Sequence, residues 1–268
     1  MIMKLLMKFN IILCLFVVNS LFSQQTDSSY IQVDYEAVFL IDTANVKGRS
    51  KENTTLLISK ESSYFKSSYK AIADSLGIVS VKKSVENPIN GKIIINGSSI
   101  PSAKFKPEVY FSKGKVMVFN QIARDKFIYE SPYKILWEIE NDTKLIQGYT
   151  CRKATGSYGK KIITAWYAEK IPIQEGPYTF KGLPGLILEA HDSKDYFHFT
   201  MVGLKYVKKP ISKLPFGINT TYEKYYKKRK EMLDDPISSF ISTFGKPPPK
   251  ESEEAIIRNI KRINNFLD

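Results

Sequence analysis

The side chains with the clearest chemical potential sit close together in the last third of the chain. Glu189, His191 and His198 flank the short polar stretch Asp192-Ser193-Lys194-Asp195. Read as a hairpin with Ser193-Lys194 as its loop, Asp192 faces Asp195, His191 faces Tyr196, and Glu189 faces His198. Residues two apart on a strand point the same way, so the three side chains share one face. Two imidazoles and a carboxylate suit zinc or copper or an acid–base pair. The plainer expectation is a solvated polar face with one Glu–His contact, while Leu186, Leu188 and Ala190 face the core. A one-residue slip of register would separate the trio.

Cys151 is the second candidate. Tyr149, Cys151 and Lys153 alternate along one strand face. An exposed thiol beside a lysine is activated as thiolate, whereas a buried one is packing; packing is the favoured reading. No Gly-x-Ser-x-Gly, His-Glu-x-x-His or phosphate-loop spacing occurs. The sequence therefore nominates no catalytic residue, and no cofactor is expected beyond the zinc or copper option.

The elements that must carry these residues read mainly as strands. Gln32 to Asp42 alternates, with Val33, Tyr35, Ala37, Phe39 and Ile41 on one face and Gln32, Asp34, Glu36 and Asp42 on the other. Thr54 to Ser59, Lys92 to Asn96, Glu108 to Phe111 and Val116 to Ile122 are shorter candidates. Tyr69 to Leu76 reads as a helix stopped by Gly77. Five consecutive strands follow: Tyr133–Glu140, Gly148–Thr155, Lys160–Ala168, Leu186–His191 and Tyr196–Val207. Asn141-Asp142, the 156–159 turn and the segment Ile171 to Gly185 separate them. Strands joined by short connections are usually antiparallel neighbours, so this half should form a meander. Tyr222 to Leu233 is a basic helix with Tyr222, Tyr225, Tyr226, Arg229 and Leu233 near one face, ended by Asp234-Asp235-Pro236. A Pro-rich linker over 246–250 leads to a helix from Glu251 to Leu267 with an Ile256, Ile260, Ile263, Leu267 stripe. The fold class is α+β: a twisted antiparallel sheet, drawn as a half-barrel, with C-terminal helices.

The N-terminus sets the compartment. Lys4 and Lys8 precede an apolar run from Phe9 to Phe22, and Ser23 precedes a polar stretch. This is the pattern of a secretory signal peptide cut after Ser23. The run is shorter than the roughly 20 residues of a membrane span, and no later stretch is apolar for long enough to cross. Bulky Ile11, Ile12 and Leu13 argue against lipidation at Cys14. Cleavage leaves Cys151 without an internal disulfide partner. The formal charge is +13, lowered by two when the lysines of the signal are lost. A basic exported protein meets lipid, anionic cell-surface polymer or an envelope protein rather than nucleic acid. The expected division is residues 1–23 as signal, 24–245 as a β-rich domain with its basic helix near 222–233, and 246–268 as linker and amphipathic helix.

Between Trp137 and Asp192 several anchors occur in order. Gly148-Tyr149-Thr150-Cys151-Arg152-Lys153-Ala154 is followed by Ala165-Trp166-Tyr167, Ile171-Pro172, Gly176-Pro177, and Phe180-Lys181-Gly182-Leu183-Pro184-Gly185-Leu186-Ile187. This segment resembles the GLPGLI family of secreted bacterial envelope proteins. The resemblance implies export and a β-rich fold and assigns no activity. Its motif positions, Cys151, Trp166, Gly176, Pro177, Gly182, Leu183, Pro184, Gly185, Leu186 and Ile187, are read as structural. Pro184 fixes φ, and Gly185 takes a positive φ as the third residue of a type II turn. The favoured function is a non-catalytic envelope binding or carrier protein for an apolar ligand or partner. Alternatives are an assembly partner of an outer-membrane complex and a metal-binding or hydrolytic protein built on Glu189, His191 and His198.

Overall fold

The computed structural model describes residues 28–86, 102–211 and 216–268. The signal segment 1–23, Cys14 and the strand expected over Lys92–Asn96 lie outside the described residues. Among the described residues twelve strands form one open sheet: β1 (Ser28–Phe39), β2 (Ser50–Ile58), β3 (Ser62–Ser67), β4 (Glu108–Ser112), β5 (Lys115–Ile122), β6 (Asp125–Glu130), β7 (Glu138–Ile146), β8 (Tyr149–Tyr158), β9 (Lys161–Ala168), β10 (Leu186–Asp192), β11 (Phe197–Pro210) and β12 (Ile218–Asn219). Among the described residues four helices accompany it: α1 (Ser68–Glu86), α2 (Tyr222–Asp234), α3 (Pro236–Phe244) and α4 (Lys250–Lys261).

β1 is central. One antiparallel meander runs outward from it through β2, β3, β4, β5 and β6, and the other through β11, β10, β9, β8 and β7. Among the described strands only β12, parallel to β6 at the edge, departs from the antiparallel pattern. The alternation expected in β1 holds, with Val33, Tyr35, Ala37 and Phe39 all buried. Their face continues across the sheet. Val33, Leu56, Phe65, Val109, Val118 and Tyr129 each stand directly opposite the next on β1 to β6. In the other direction Ala37, Phe199, Ala190, Ala165 and Ala154 do the same across β1, β11, β10, β9 and β8. Apart from Phe199, this second row is built of alanines, whereas the first is built of larger side chains.

The sheet curls. Tyr129 on β6 lies 5.7 Å from Tyr222 of α2, Tyr222 lies 5.5 Å from Tyr133, and Tyr133 lies 5.1 Å from Tyr158 on β8. Strands near opposite ends of the sheet therefore meet one chain of rings.

Several expectations are corrected. α1 runs through Gly77 to Glu86; one glycine costs a helix only about 1 kcal/mol and does not by itself end it. The strand expected from Tyr133 begins at Glu138, and Asn141-Asp142 is not a turn. It sits inside β7 where the pairing to β8 shifts between Ile139 and Thr143, the irregularity of a β-bulge. Pro236 ends α2 and also starts α3, as a first-turn proline capped by the Asp235 carboxylate on Ser238 N (3.0 Å). α4 stops at Lys261, because Asn264 and Asn265 turn their backbone amides to Ile41 O, both at 3.1 Å.

Candidate functional site

The segment between β9 and β10 is not a surface loop. Glu175, Gly176, Pro177, Tyr178, Thr179 and Phe180 are all buried. Tyr178 and Phe180 pack edge-on to Tyr158, and Phe180 also meets Phe199. A buried loop must satisfy its backbone, and this one does so with tight local bonds. Ile173 N bonds to Ile171 O (2.7 Å), Glu175 N to Ile173 O (2.8 Å) and Gly185 N to Leu183 O (2.8 Å). These are three-residue turns, the last centred on Pro184. The type II turn expected there is therefore wrong. Gly182, at φ +92°, takes the left-handed backbone, and Gly185 does not. Gly185 is needed for close approach instead: a Cβ there would stand 2.7 Å from the Ala168 carbonyl carbon. At Gly176 it would stand 2.6 Å from Phe180 O. Pro177 and Leu183 are buried, Pro184 is exposed, and Leu186 and Ile187 are inside β10 with no exposure.

Polar groups fasten this plug to both halves of the sheet. Lys181 pairs with Glu175, and Ser63 of β3 donates to Glu175 Oε2 at 3.0 Å. Trp137 Nε1 donates to Lys181 O at 2.9 Å. The plug fills the concave face that could have been open to a ligand.

An apolar cavity of about 360 Å³ remains at one end of that face. Phe39, Phe105, Ile122 and Tyr178 line it from the sheet side, and Met232, Ile260 and Leu267 from the C-terminal side. Side-chain hydrogen bonds hold the tail after α4 over it. Asn265 Nδ2 donates to Leu40 O at 2.6 Å, Thr43 N donates to Asn264 Oδ1 at 2.9 Å, and Lys161 Nζ donates to Asn265 Oδ1 at 3.1 Å. Arg229 of α2, itself buried, pairs with Asp268 (Nη1 to Oδ1, 2.6 Å). Burial opposes its charge, but Asp268 and the neighbouring tyrosines outweigh that and raise its pKa, so it stays a guanidinium.

The Glu189, His191, His198 group lies on the opposite, outer face of the sheet. Its register is not the expected one: His191 stands opposite His198, and Glu189 opposite Thr200. Asp192 causes the difference. It is buried, and its Oδ1 accepts from both Tyr196 N (2.6 Å) and Phe197 N (2.9 Å). With Asp195 at φ +51°, the loop becomes four residues long. A shift of two residues preserves the face, so the trio still converges. The His191 and His198 rings are 5.2 Å apart, and His198 Nε2 lies 3.3 Å from Glu189 Oε1 in an ion-pair contact without good hydrogen-bond alignment.

Lys144 enters the same spot. Its Nζ is 2.7 Å from Glu189 Oε1 and 4.5 Å from the centre of the Trp166 ring. Burial pushes the Glu189 carboxyl up, but His198 and Lys144 outweigh it and bring it to about 2. The Glu189 carboxylate raises the pKa of His198, helped by Asp195 Oδ1 at 2.8 Å from Nδ1. A cation thus already occupies the carboxylate that a metal would need. Among the described residues no group of three His, Cys, Asp or Glu is arranged to hold a metal ion. Cys151 is fully buried, and burial pushes its thiol up to about 11.

The sequence groups Arg229 with Tyr222 and Tyr225 on one helix face and names Ile260 and Leu267 in an apolar stripe, but it does not single out Met232, Phe266 or Asp268. The available signal was the pairing of one buried-face arginine with an aspartate outside every predicted element.

A family model described as "Protein of unknown function (Porph_ging)" matches residues 158–189, from the end of β8 through the plug into β10. No curated protein matches the chain. Among solved structures, "Structure of PNGF-II in P21 space group" aligns with a TM-score of 0.49 at 11% identity over 74% of this chain. The C2 form of PNGF-II aligns at 0.45 and 12% identity over the same share. The chain spans about a third, 32%, of the length of these structures.

Proposed function

We propose that this is an exported, non-catalytic binding protein of the cell envelope, of the GLPGLI type, that holds an apolar ligand between the end of its sheet and its C-terminal tail. The observation that carries the reading is the cavity of about 360 Å³ walled by Phe39, Phe105, Tyr178, Met232 and Leu267. Small-molecule sites range from roughly 300 to 1,000 Å³ and are mainly apolar with a few fixed polar groups. Arg229 and Asn265 supply such groups here. Export is supported by the basic, apolar and small-residue pattern that ends at Ser23. No helix among the described residues is long and apolar enough to cross a membrane.

Native mass spectrometry of the protein purified gently from its own envelope tests this reading. The expected result is a chain beginning at Gln24 that carries small-molecule mass released on denaturation. A chain that retains residues 1–23 contradicts export. A chain that is bare, and stays bare after incubation with envelope lipid extract, contradicts the binding function.

A further inference from the structure

The polar wall of the cavity identifies the ligand more narrowly. Arg229 borders both the apolar cavity and a second, polar cleft of about 520 Å³ on the other side of the tail. Lys160, Lys161 and Lys194 line that cleft, with Asp192 countering Lys161 at 3.3 Å. The Arg229 guanidinium lies 4.0 Å from the Phe266 ring centre and 5.3 Å from the centres of both Tyr225 and Tyr226. A permanent cation, clamped among rings, thus stands where an apolar chamber meets a positively charged cleft.

Its present partner is poorly satisfied. Asp268 gives Arg229 one oxygen, while Oδ2 is buried with no hydrogen-bond partner. An orphaned buried acceptor destabilises the folded chain, and arginine favours two parallel bonds to a carboxylate. The Asn264 and Asn265 bonds to Leu40, Ile41 and Thr43 tether the chain that carries Asp268, whereas a free carboxylate has no such tether.

We propose that the ligand is a single-chain amphiphile with a carboxylate head. Its chain fills the apolar cavity and its head replaces Asp268 on Arg229, with the lysines of the cleft drawing the anion in. Exchange of one carboxylate for another keeps the pairing of the Arg229 guanidinium in kind. The proposal rests on the binding function argued above.

The test is displacement of the neutral apolar probe N-phenylnaphthylamine from the full chain by dodecanoate, dodecanol and dodecyl phosphate. Dodecanoate should displace the probe at a concentration at least about tenfold lower than dodecanol, as about 1.4 kcal/mol from a charge-assisted contact requires. Asp268→Asn removes the internal competitor but leaves Arg229 without its carboxylate, so with its fold checked by its urea midpoint it should strengthen dodecanoate further. Arg229→Met alone leaves a buried unpaired carboxylate and is liable to unfold. The double variant R229M/D268N, with its fold checked by its urea midpoint, should therefore be used to bring the dodecanoate-to-dodecanol ratio to one. Equal potency of acid and alcohol in the wild type, a preference that survives in the double variant, or a dodecyl phosphate that outcompetes dodecanoate overturns the proposal. A probe that binds and is displaced with no head-group preference among the three amphiphiles sinks this inference and leaves the binding function standing; a probe that does not bind removes both.

Discussion

The Tyr35 hydroxyl, on the central strand, donates a 2.8 Å hydrogen bond to the carbonyl of Ile187, 152 residues further along the chain. Ile187 is the last residue of the Gly182–Ile187 hexapeptide and sits where the β9–β10 pairing shifts register between Ile187 and Glu189. The bond joins the middle of the sheet to the exit of the plug. Burial holds the phenol well above its ordinary pKa, so it remains a donor. Tyr35→Phe keeps the ring and removes the donor. It should cost about 1–3 kcal/mol, read as a lowered urea midpoint with an unchanged m-value; an unchanged midpoint contradicts this role.

The plug glycines separate two physical demands. Gly176→Ala and Gly185→Ala force a Cβ into backbone and should each cost about 3 kcal/mol or more. Gly182→Ala meets open space and bears only the left-handed backbone, about 1–2 kcal/mol. Thermal denaturation of the three variants should rank Gly182→Ala as the mildest, and the opposite order would mean that turn conformation dominates.

How legible this was depends on where the physics is local. The β1 alternation and the C-terminal meander follow from period-two burial, which the residues display directly. β3 was missed because its inward Ser63, Phe65 and Ser67 alternate with Tyr64 and Lys66, so polarity does not follow its faces. The hairpin register depended on where one buried carboxylate, Asp192, sends its oxygens, and no spacing rule encodes that. The plug was hidden for a related reason. Gly and Pro mark Ile171–Gly185 as a loop, while its burial depends on the small side chains Ala37, Ala154, Ala165 and Ala190 from four separate strands.

The outer-face cluster makes stability depend on pH in a defined window. The His198 pKa is raised when folded, so its contribution is full below the ordinary value of 6.5 and is lost as pH rises through the folded value. Glu189 is lowered to about 2, so its contribution is present above the ordinary 4.5 and is lost as pH falls toward 2. The pair therefore stabilises most between these ordinary values. Between pH 6 and pH 9 the wild type should lose about 1 kcal/mol more than His198→Gln in urea titrations, the scale of a partly exposed pair. Parallel profiles would show that the contact contributes nothing.

Cys151 should be inert. Its thiol is buried, and a rise from 9.0 to about 11 cuts the thiolate fraction about a hundredfold. Labelling with a disulfide reagent at pH 8 should be at least about a hundredfold slower in the folded protein than in urea. Comparable rates would place the thiol at an accessible site.

The account's central claim is that the chamber under the C-terminal tail is a ligand site. A fluorescence titration of the folded protein with N-phenylnaphthylamine, repeated on Met232→Trp to fill the chamber, tests it most directly. The account predicts saturable binding at one probe per chain in the wild type, and at least about tenfold weaker binding in Met232→Trp, with the variant's fold confirmed by its urea midpoint. No saturable binding, or binding that Met232→Trp leaves unchanged, would contradict it.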